Sequence, residues 1–350
     1  MKAATISDVA KKAGVSPMTV SRYINSSGYV EAKTAERIKQ AIEELDYHPN
    51  RIAKSLVTKK TNTAALVIAS ISNPFYPEFV LGAEDVAYRR NTNVFLCNLE
   101  GKGDPGYFAR LLFEQGVDGI VFSHLDLKPH DAKWLSDRGV ICSLIDNETP
   151  CPSARTVTTD DEGMCRRLTE YLINIGHRKI AIITGPVERK EKQHLEFEET
   201  FQFNIWKKRT NGYISAMNAN TIPIPKEYIV LGGGVARNNI KDGFRAMSSL
   251  LSLPKEKIPT AVFCGNDLLA IGAWKAIVTA GYSIPGDISI AGFDGLPMNE
   301  CIFPKLTTVC QPKRELGAAA MRQALDPDCQ KHIVLEAELI IGGSTAPPSR

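Results

Sequence analysis

Beyond Thr63 the chain is paced by short apolar runs: AALVIAS (64–70), NVFLC (93–97), GIVFS (119–123), VICSLID (140–146), KIAIITG (179–185), YIVLG (228–232), TAVFCG (260–265) and ISIAGFD (288–294). Segments of helical period separate them, among them Glu78–Arg90, Glu162–Ile175 and Leu268–Ala280. Strands that are apolar at nearly every position and alternate with helices predict parallel sheets covered on both faces. Eight such units predict an α/β core of two doubly wound parallel-sheet subdomains, with a ligand between them at the carboxyl ends of the strands.

The first 60 residues have a different texture, short helices with almost no strand pattern. Thr5 and Asp8 make a capping start for a helix over Ile6–Ala13, which buries Val9, Ala10 and Ala13 and stops at Gly14. Ser16 caps a second helix whose first position is Pro17 and whose Val20 and Ile24 share a face, running to Asn25. A third spans Ala32–Asp46 with Ala35, Ile38, Ile42 and Leu45 in one stripe, and Tyr47, His48 and Pro49 end it. Helix, tight glycine turn, helix and supporting helix make an all-α helix-turn-helix head, whose second helix enters the major groove of DNA. The plain alternative is a small helical cap, but the outward positions of GVSPMTVSRYIN (14–25) carry groups suited to base edges and phosphates. The DNA-contact candidates of the head are Thr5, Ser16, Pro17, Met18, Thr19, Ser21, Arg22 and Asn25.

The next segment, NRIAKSLVTKKTN (50–62), is too short and polar to hold a helix by itself. Ile52, Ala53 and Leu56 nevertheless share one helical face, ringed by Arg51, Lys54, Lys59 and Lys60. An apolar wedge flanked by phosphate-neutralising charge suits a helix that forms on DNA, and adds Asn50, Ala53 and Leu56 to the candidates.

Charge supports this division. The formal net charge of +3 conceals eleven Lys or Arg against six acids in residues 1–60, net +5, and a remainder of −2. A basic head on a near-neutral body points to a polyanion partner for the head. With 43% hydrophobic and 23% charged residues and no apolar run of membrane length, neither a membrane protein nor a disordered one fits. The eight cysteines form no C-x-x-C pair and the opening MKAATISDVAKK has no secretory h-region, so the expectation is a cytoplasmic protein with reduced thiols.

Candidate chemistry gathers where the apolar runs end. SNPFYP (72–77) follows the first, Asp146 and Asn147 the fourth, Gly185 and Pro186 the fifth, Asn266 and Asp267 the seventh, and Asp294 the eighth. Amides and carboxylates in such loops can bracket a polar small molecule, with Phe75 and Tyr76 available to stack on a ring. Any one of them alone reads equally as a helix cap or turn former. Catalytic signatures are missing: LGGGVA (231–236) lacks dinucleotide-binding spacing, there is no G-x-S-x-G, Walker A or H-E-x-x-H motif, and the six histidines show no metal-ligand spacing. His177, in NIGHRKIAIITG, reads as ordering the turn into the fifth strand. No enzymatic activity, metal or cofactor is expected.

Taken in order, ISDVAKKAGVSPMTVSRYIN, YHPNRIAKSL, SNPFYPEFVLGAED, VDGIVF, LINIGHRKIAIITGP, PTAVFCGNDLLAIGA, IPGDISIAGFDG and PKLTTVCQP resemble the lactose/galactose repressor family of bacterial transcription factors over nearly the whole chain. The resemblance implies a homodimeric, effector-controlled DNA-binding regulator, in most cases a repressor. It implies a head, a hinge helix that folds on a pseudo-palindromic operator, and a core like the periplasmic sugar-binding proteins. It divides the chain into a head (1–49), a hinge (50–62), an N-terminal core subdomain (63–160 plus 294–323) and a C-terminal one (161–293 plus 324–345). Pro17, Met18 and Arg22 fall at the family's base-reading positions and Leu56 at its minor-groove wedge. The effector residues it implies are Asn73, Phe75, Asp146, Arg209, Asn266, Asp267, Asp294 and Gln311, with Tyr76 beside Phe75 and Arg189 as a rival to Arg209.

The chain departs from that pattern in four places. A 22-residue stretch, VERKEKQHLEFEETFQFNIWKK, separates Pro186 from Arg209 and suggests an amphipathic helix or a lid. Gly232–Gly234 stand where relatives often place an aromatic wall, the segment 98–115 is shortened, and the usual Arg is absent from ELIIGGST (338–345). The implied effector is a carbohydrate or other small polar metabolite. The rivals are a purine corepressor or, in another class, a binding protein or oxidoreductase on the same scaffold, which leaves the head unexplained.

Overall fold

The computed structural model describes residues 4–25, 27–48, 60–100, 104–125, 127–146, 152–185, 204–232 and 239–349. The chain forms two compact units, residues 1–61 and 62–350.

In the first unit, α1 (Ile6–Ala13) begins with a capping box between Thr5 and Asp8 and ends at Gly14, whose φ of 65° an L side chain would resist. Helices α2 (Pro17–Asn25) and α3 (Ala32–Glu44) follow, three helices among the described residues of the head. Its core is Val9, Ala10, Ala13, Val20, Ile38 and Ala41. Helix α3 stops two residues earlier than its apolar stripe suggests, because Asp46 turns to φ 45° and the Tyr47 amide bonds back to the Ile42 carbonyl.

Among the described residues the second unit carries twelve strands: β1 (Thr63–Ile68), β2 (Asn93–Asn98), β3 (Gly119–Ser123), β4 (Ile141–Ile145), β5 (Ala154–Thr159), β6 (Ile180–Thr184), β7 (Ile229–Leu231), β8 (Ala261–Cys264), β9 (Ser289–Asp294), β10 (Thr307–Cys310), β11 (His332–Leu335) and β12 (Glu338–Ile340). Its α-helices are α4 (Tyr76–Arg89), α5 (Pro105–Glu114), α6 (Pro129–Ser136), α7 (Asp161–Asn174), α8 (Asn204–Ala219), α9 (Ile240–Leu251), α10 (Asp267–Thr279) and α11 (Lys313–Leu325). One sheet has the order β11-β5-β4-β3-β1-β2 and the other β12-β10-β9-β8-β6-β7. All pairings are parallel except that of β12 with β10.

The apolar runs follow from two-faced burial. In β1, Ala64, Leu66 and Ile68 pack into one core while Ala65 and Val67 pack into the core on the opposite face. Strand β6 divides likewise, with Ile180 and Ile182 on one side and Ala181 and Ile183 on the other. Among the described residues no helix is long and apolar enough to cross a membrane.

Sheet membership corrects the subdomain boundaries expected from the sequence. Residues 294–310 belong with the second sheet, since β10 pairs with β9, and the chain crosses to the first only after Cys310. Helix α11 then packs on α4, β3, β4 and β5, and β11 extends the first sheet by pairing with β5. Residues 324–335 are therefore part of the first subdomain, and β12 alone returns to the second sheet. The cause is packing: Val309 is buried in the second core, whereas Ile333 and Leu335 close over the first.

Candidate functional sites

On the head, Pro17, Met18, Arg22 and Asn25 stand exposed on α2, Met18 at 71% of its full surface, while Thr19 and Ser21 are half-buried. Ser16 Oγ accepts the Thr19 amide at 3.2 Å, so it works as a cap. Asn25 Nδ2 donates to the Ser21 carbonyl at 3.0 Å and lies along its own helix, and Arg22 rests its methylenes against Gly28. The Thr5 hydroxyl is spent on Asp8 Oδ2 at 2.6 Å, which holds the start of α1. Asn50, Ala53, Leu56 and Arg189 lie outside the described residues.

In the core, the ends of β4, β5 and β9 and the start of α7 bring polar side chains into one buried chain of contacts. Arg209, on α8 and 2% exposed, donates through Nε to Asp161 Oδ2 at 2.8 Å and through Nη1 to the Gly265 carbonyl at 2.6 Å. The same Nη1 lies 3.6 Å from Asp294 Oδ1, and the guanidinium stacks 3.8 Å above the Phe293 ring. Gln311 Nε2 donates to Asp294 Oδ1 at 2.9 Å, and Thr159 Oγ1, which lies 3.4 Å from Gln311 Oε1, donates to Asp161 Oδ1 at 2.6 Å. The Thr159 amide reaches Asp146 Oδ1 at 3.3 Å. His124 Nε2 stands 3.1 Å from Asp146 Oδ2 without the alignment of a hydrogen bond, and that oxygen has no other partner among the described residues. Ser123 Oγ lies 2.9 Å from His124 Nδ1, with the Tyr76 hydroxyl at 3.4 Å from the same nitrogen.

Three residues of this group hold left-handed backbone angles, His124 at φ 55°, Asp146 at 51° and Asp294 at 114°. Such conformations cost free energy in L residues and concentrate at binding sites. Burial pushes the Asp161 and Asp294 carboxyls above the usual range, with Arg209 pulling both back toward ionisation. The Arg209 guanidinium is opposed by burial, yet the two carboxylates hold its pKa above the ordinary value. A cavity of about 420 Å³, lined by Glu78, Gly295, Cys310, Gln311 and Lys313, opens beside Gln311 at the crossovers.

The structure thus brings together Asp146, Arg209, Asp294 and Gln311 and gives the other expected residues different surroundings. Asp267 is fully buried in a separate network: Oδ2 accepts the Leu296 amide and Asn299 Nδ2, both at 2.7 Å, and Oδ1 accepts Thr308 Oγ1 at 2.7 Å. Both its oxygens are spent on tying α10 to the loop after β9 and to β10. Asn266 Oδ1 caps α10 through the Leu269 amide at 2.8 Å, and Asn73 Oδ1 makes a local turn with the Phe75 amide at 3.0 Å. Phe75 and Tyr76 are 3% exposed and sit in the first core, edge-on to His124. His177 does order the entry to β6, contacting Thr260 Oγ1, Ser289 Oγ and the Ala346 carbonyl.

Four participants escaped the sequence reading: His124, Thr159, Asp161 and Trp206, whose ring lies 5.4 Å from the Arg209 guanidinium. Thr159 ends a strand too polar to stand out, ARTVTT, and Asp161 follows directly from it. For Trp206 the signal was its place one helical turn before Arg209 in α8.

Comparison with known proteins places the fold and the head in one family. Residues 5–50 match the model described as bacterial regulatory proteins, lacI family, and residues 169–345 that of the periplasmic binding protein-like domain. The HTH-type transcriptional repressor PurR of Aliivibrio fischeri is 32% identical over 325 residues, 92% of this chain and 91% of its own. The ribose operon repressor of Escherichia coli is 33% identical, covering 91% of each chain. Among solved structures, the Lac repressor dimer bound to operator and an anti-inducer superposes with a TM-score of 0.81 at 26% identity, covering 99% of this chain and 100% of the other. The regulator CelR in complex with cellobiose gives a TM-score of 0.68 at 28% identity, covering 97% and 99%. With a DNA-reading head, a two-sheet core and relatives that align from end to end, the chain belongs to the lacI family of bacterial regulatory proteins and is a sequence-specific, effector-controlled transcription regulator.

Proposed function

We propose that this regulator works in the cytoplasm as a homodimeric repressor of genes for uptake or use of a small carbohydrate. That carbohydrate binds at the Asp146–Arg209–Asp294 group. The observation that carries this reading is the position of the group on the chain crossovers. Thr159 and Asp161 flank the first passage from one sheet to the other, and Gln311 opens the second. A ligand that exchanges hydrogen bonds with these side chains changes the relative free energy of two sheet orientations, which is what an effector requires. The segment 50–62, which joins the head to the core and carries Leu56 among basic side chains, converts that change into operator affinity. Pro17, Met18 and Arg22 read base edges and Leu56 wedges the central step. Among the relatives, one is by name a ribose operon repressor and another is solved with cellobiose.

Mobility shifts on an operator recovered from a random DNA pool, with D-ribose, cellobiose or hypoxanthine added in turn, test the proposal. Release of the operator by a sugar supports it. Tightening by hypoxanthine alone assigns the site to a purine corepressor instead.

A further inference from the structure

Trp206 is 8% exposed and lies across the carboxyl ends of β6 and β8. A methyl group on Gly185 would stand 2.1 Å from Trp206 Cδ2 and Cε2, and one on Gly265 2.9 Å from Cζ3, so the indole rests flat on two strand ends that only glycine leaves open. Gly265 is also the residue whose carbonyl accepts Arg209 Nη1, and the guanidinium lies 5.4 Å from the indole ring. The ring therefore adjoins the polar group described above. Asp146 Oδ2, at the other side of the group, is a buried acceptor without a hydrogen bond, on a side chain 5% exposed. An unspent acceptor thus borders a site whose cation, Arg209, is already paired with Asp161.

We propose that Trp206 is the specificity-determining wall of this site, filling the strand-end floor of the second subdomain so that only an uncharged, single-ring polyol fits. The inference rests on the effector-site reading above. A monosaccharide offers hydroxyls that serve Asp146 Oδ2 as donors, and an apolar ring face that lies against the indole. A second sugar ring has no room while the indole covers Gly185 and Gly265. A sugar acid meets Asp146, Asp161 and Asp294 with no unpaired guanidinium to receive it.

The test is isothermal titration of the full chain and of Trp206→Ala with D-ribose, D-glucose, cellobiose and D-gluconate. The wild type is expected to bind a monosaccharide and neither cellobiose nor gluconate. Trp206→Ala is expected to weaken monosaccharide binding at least roughly tenfold and to gain cellobiose. Identical responses of the two proteins, including no response by either, overturn the proposal, as does cellobiose or gluconate binding by the wild type. Should Trp206→Ala fail to fold, Trp206→Phe, which keeps a smaller ring, must move the ranking in the same direction, and an unchanged ranking again overturns it. Parallel mobility shifts separate this inference from the reading beneath it. A sugar that binds with the predicted Trp206 dependence but leaves the operator bound refutes the effector role and leaves the wall intact.

Discussion

Gln311 donates its side-chain amide to Asp294 at 2.9 Å, joining the segment that leaves the second sheet to the end of that sheet's strand β9. Asp294 also faces Arg209, so a crossover residue and a site residue share one carboxylate oxygen. Removing the amide with Gln311→Leu strips a buried carboxylate of a hydrogen bond, a loss of about 1–3 kcal/mol. The expected outcome is lower stability in urea unfolding together with weaker effector binding. Wild-type values for Gln311→Leu in both assays would separate the crossover from the site.

Arg209 neutralises two buried carboxyls whose ionisation burial opposes. Arg209→Met leaves Asp161 and Asp294 without their cation, and breaking a buried pair from one side costs about 3–5 kcal/mol. The double variant Arg209→Met with Asp161→Asn should recover part of that loss. Additive losses in a double-mutant cycle would show that the two side chains do not depend on each other.

Asp267 gives the core a pH dependence. Burial, with the Asp294 charge adding to it, raises its carboxyl to about 7 from the ordinary 3.8, against the pull of its three donors. In the protonated form Oδ1–H donates to Thr308 while Oδ2 keeps the Leu296 amide and Asn299. Because the folded pKa lies above the unfolded one, this contribution is complete below about pH 4 and is lost as pH rises toward 7, at up to about 1.4 kcal/mol per pH unit. Asp267→Asn presents the same donor and acceptor pattern permanently. Thermal melts from pH 4.5 to 7.5 should therefore fall less steeply for Asp267→Asn than for the wild type. Parallel slopes would show that Asp267 stays ionised throughout.

On the head, Arg22 is exposed and suited to a bidentate contact with guanine. Arg22→Ala should relax discrimination at one base pair of each half-site by about 1–3 kcal/mol. An equal loss on every sequence would make Arg22 a phosphate contact. Leu56→Ala should weaken the operator complex in a mobility shift without changing the melting temperature, and normal operator affinity would remove Leu56 from the minor groove.

Six of the eight strands read from the sequence are buried on both faces and were legible because nearly every position had to be apolar, as Ala64 through Ile68 show, while β2 and β7 kept apolar runs at the sheet edges. Four were not. ARTVTT of β5 keeps Arg155 for carbonyls of the 323–327 turn and Thr159 for the site, TTVC of β10 buries two threonines on Thr345 and Asp267, and β11 and β12 lie at sheet edges with positions open to solvent. Missing them moved the second and third crossovers and so misdrew the subdomains. In the site, Asp146, Arg209, Asp294 and Gln311 could be read from their motifs, whereas Asn266 and Asp267 look identical in sequence and do different work. Which carboxylate faces a ligand and which pins a helix depends on three donors, Leu296, Asn299 and Thr308, that only the fold brings near. Trp206 was hidden because its two glycine partners are far away in the sequence.

If the head holds a specific DNA sequence and a small molecule in the core sets how tightly, selecting DNA from a random pool with the full chain tests both halves at once. The selection is run with the protein alone and with each sugar of the panel present. The expected result is enrichment of one pseudo-palindromic sequence, and its loss with a monosaccharide but not with cellobiose. A pool that yields no enriched sequence, or one whose retention no sugar alters, would contradict that coupling.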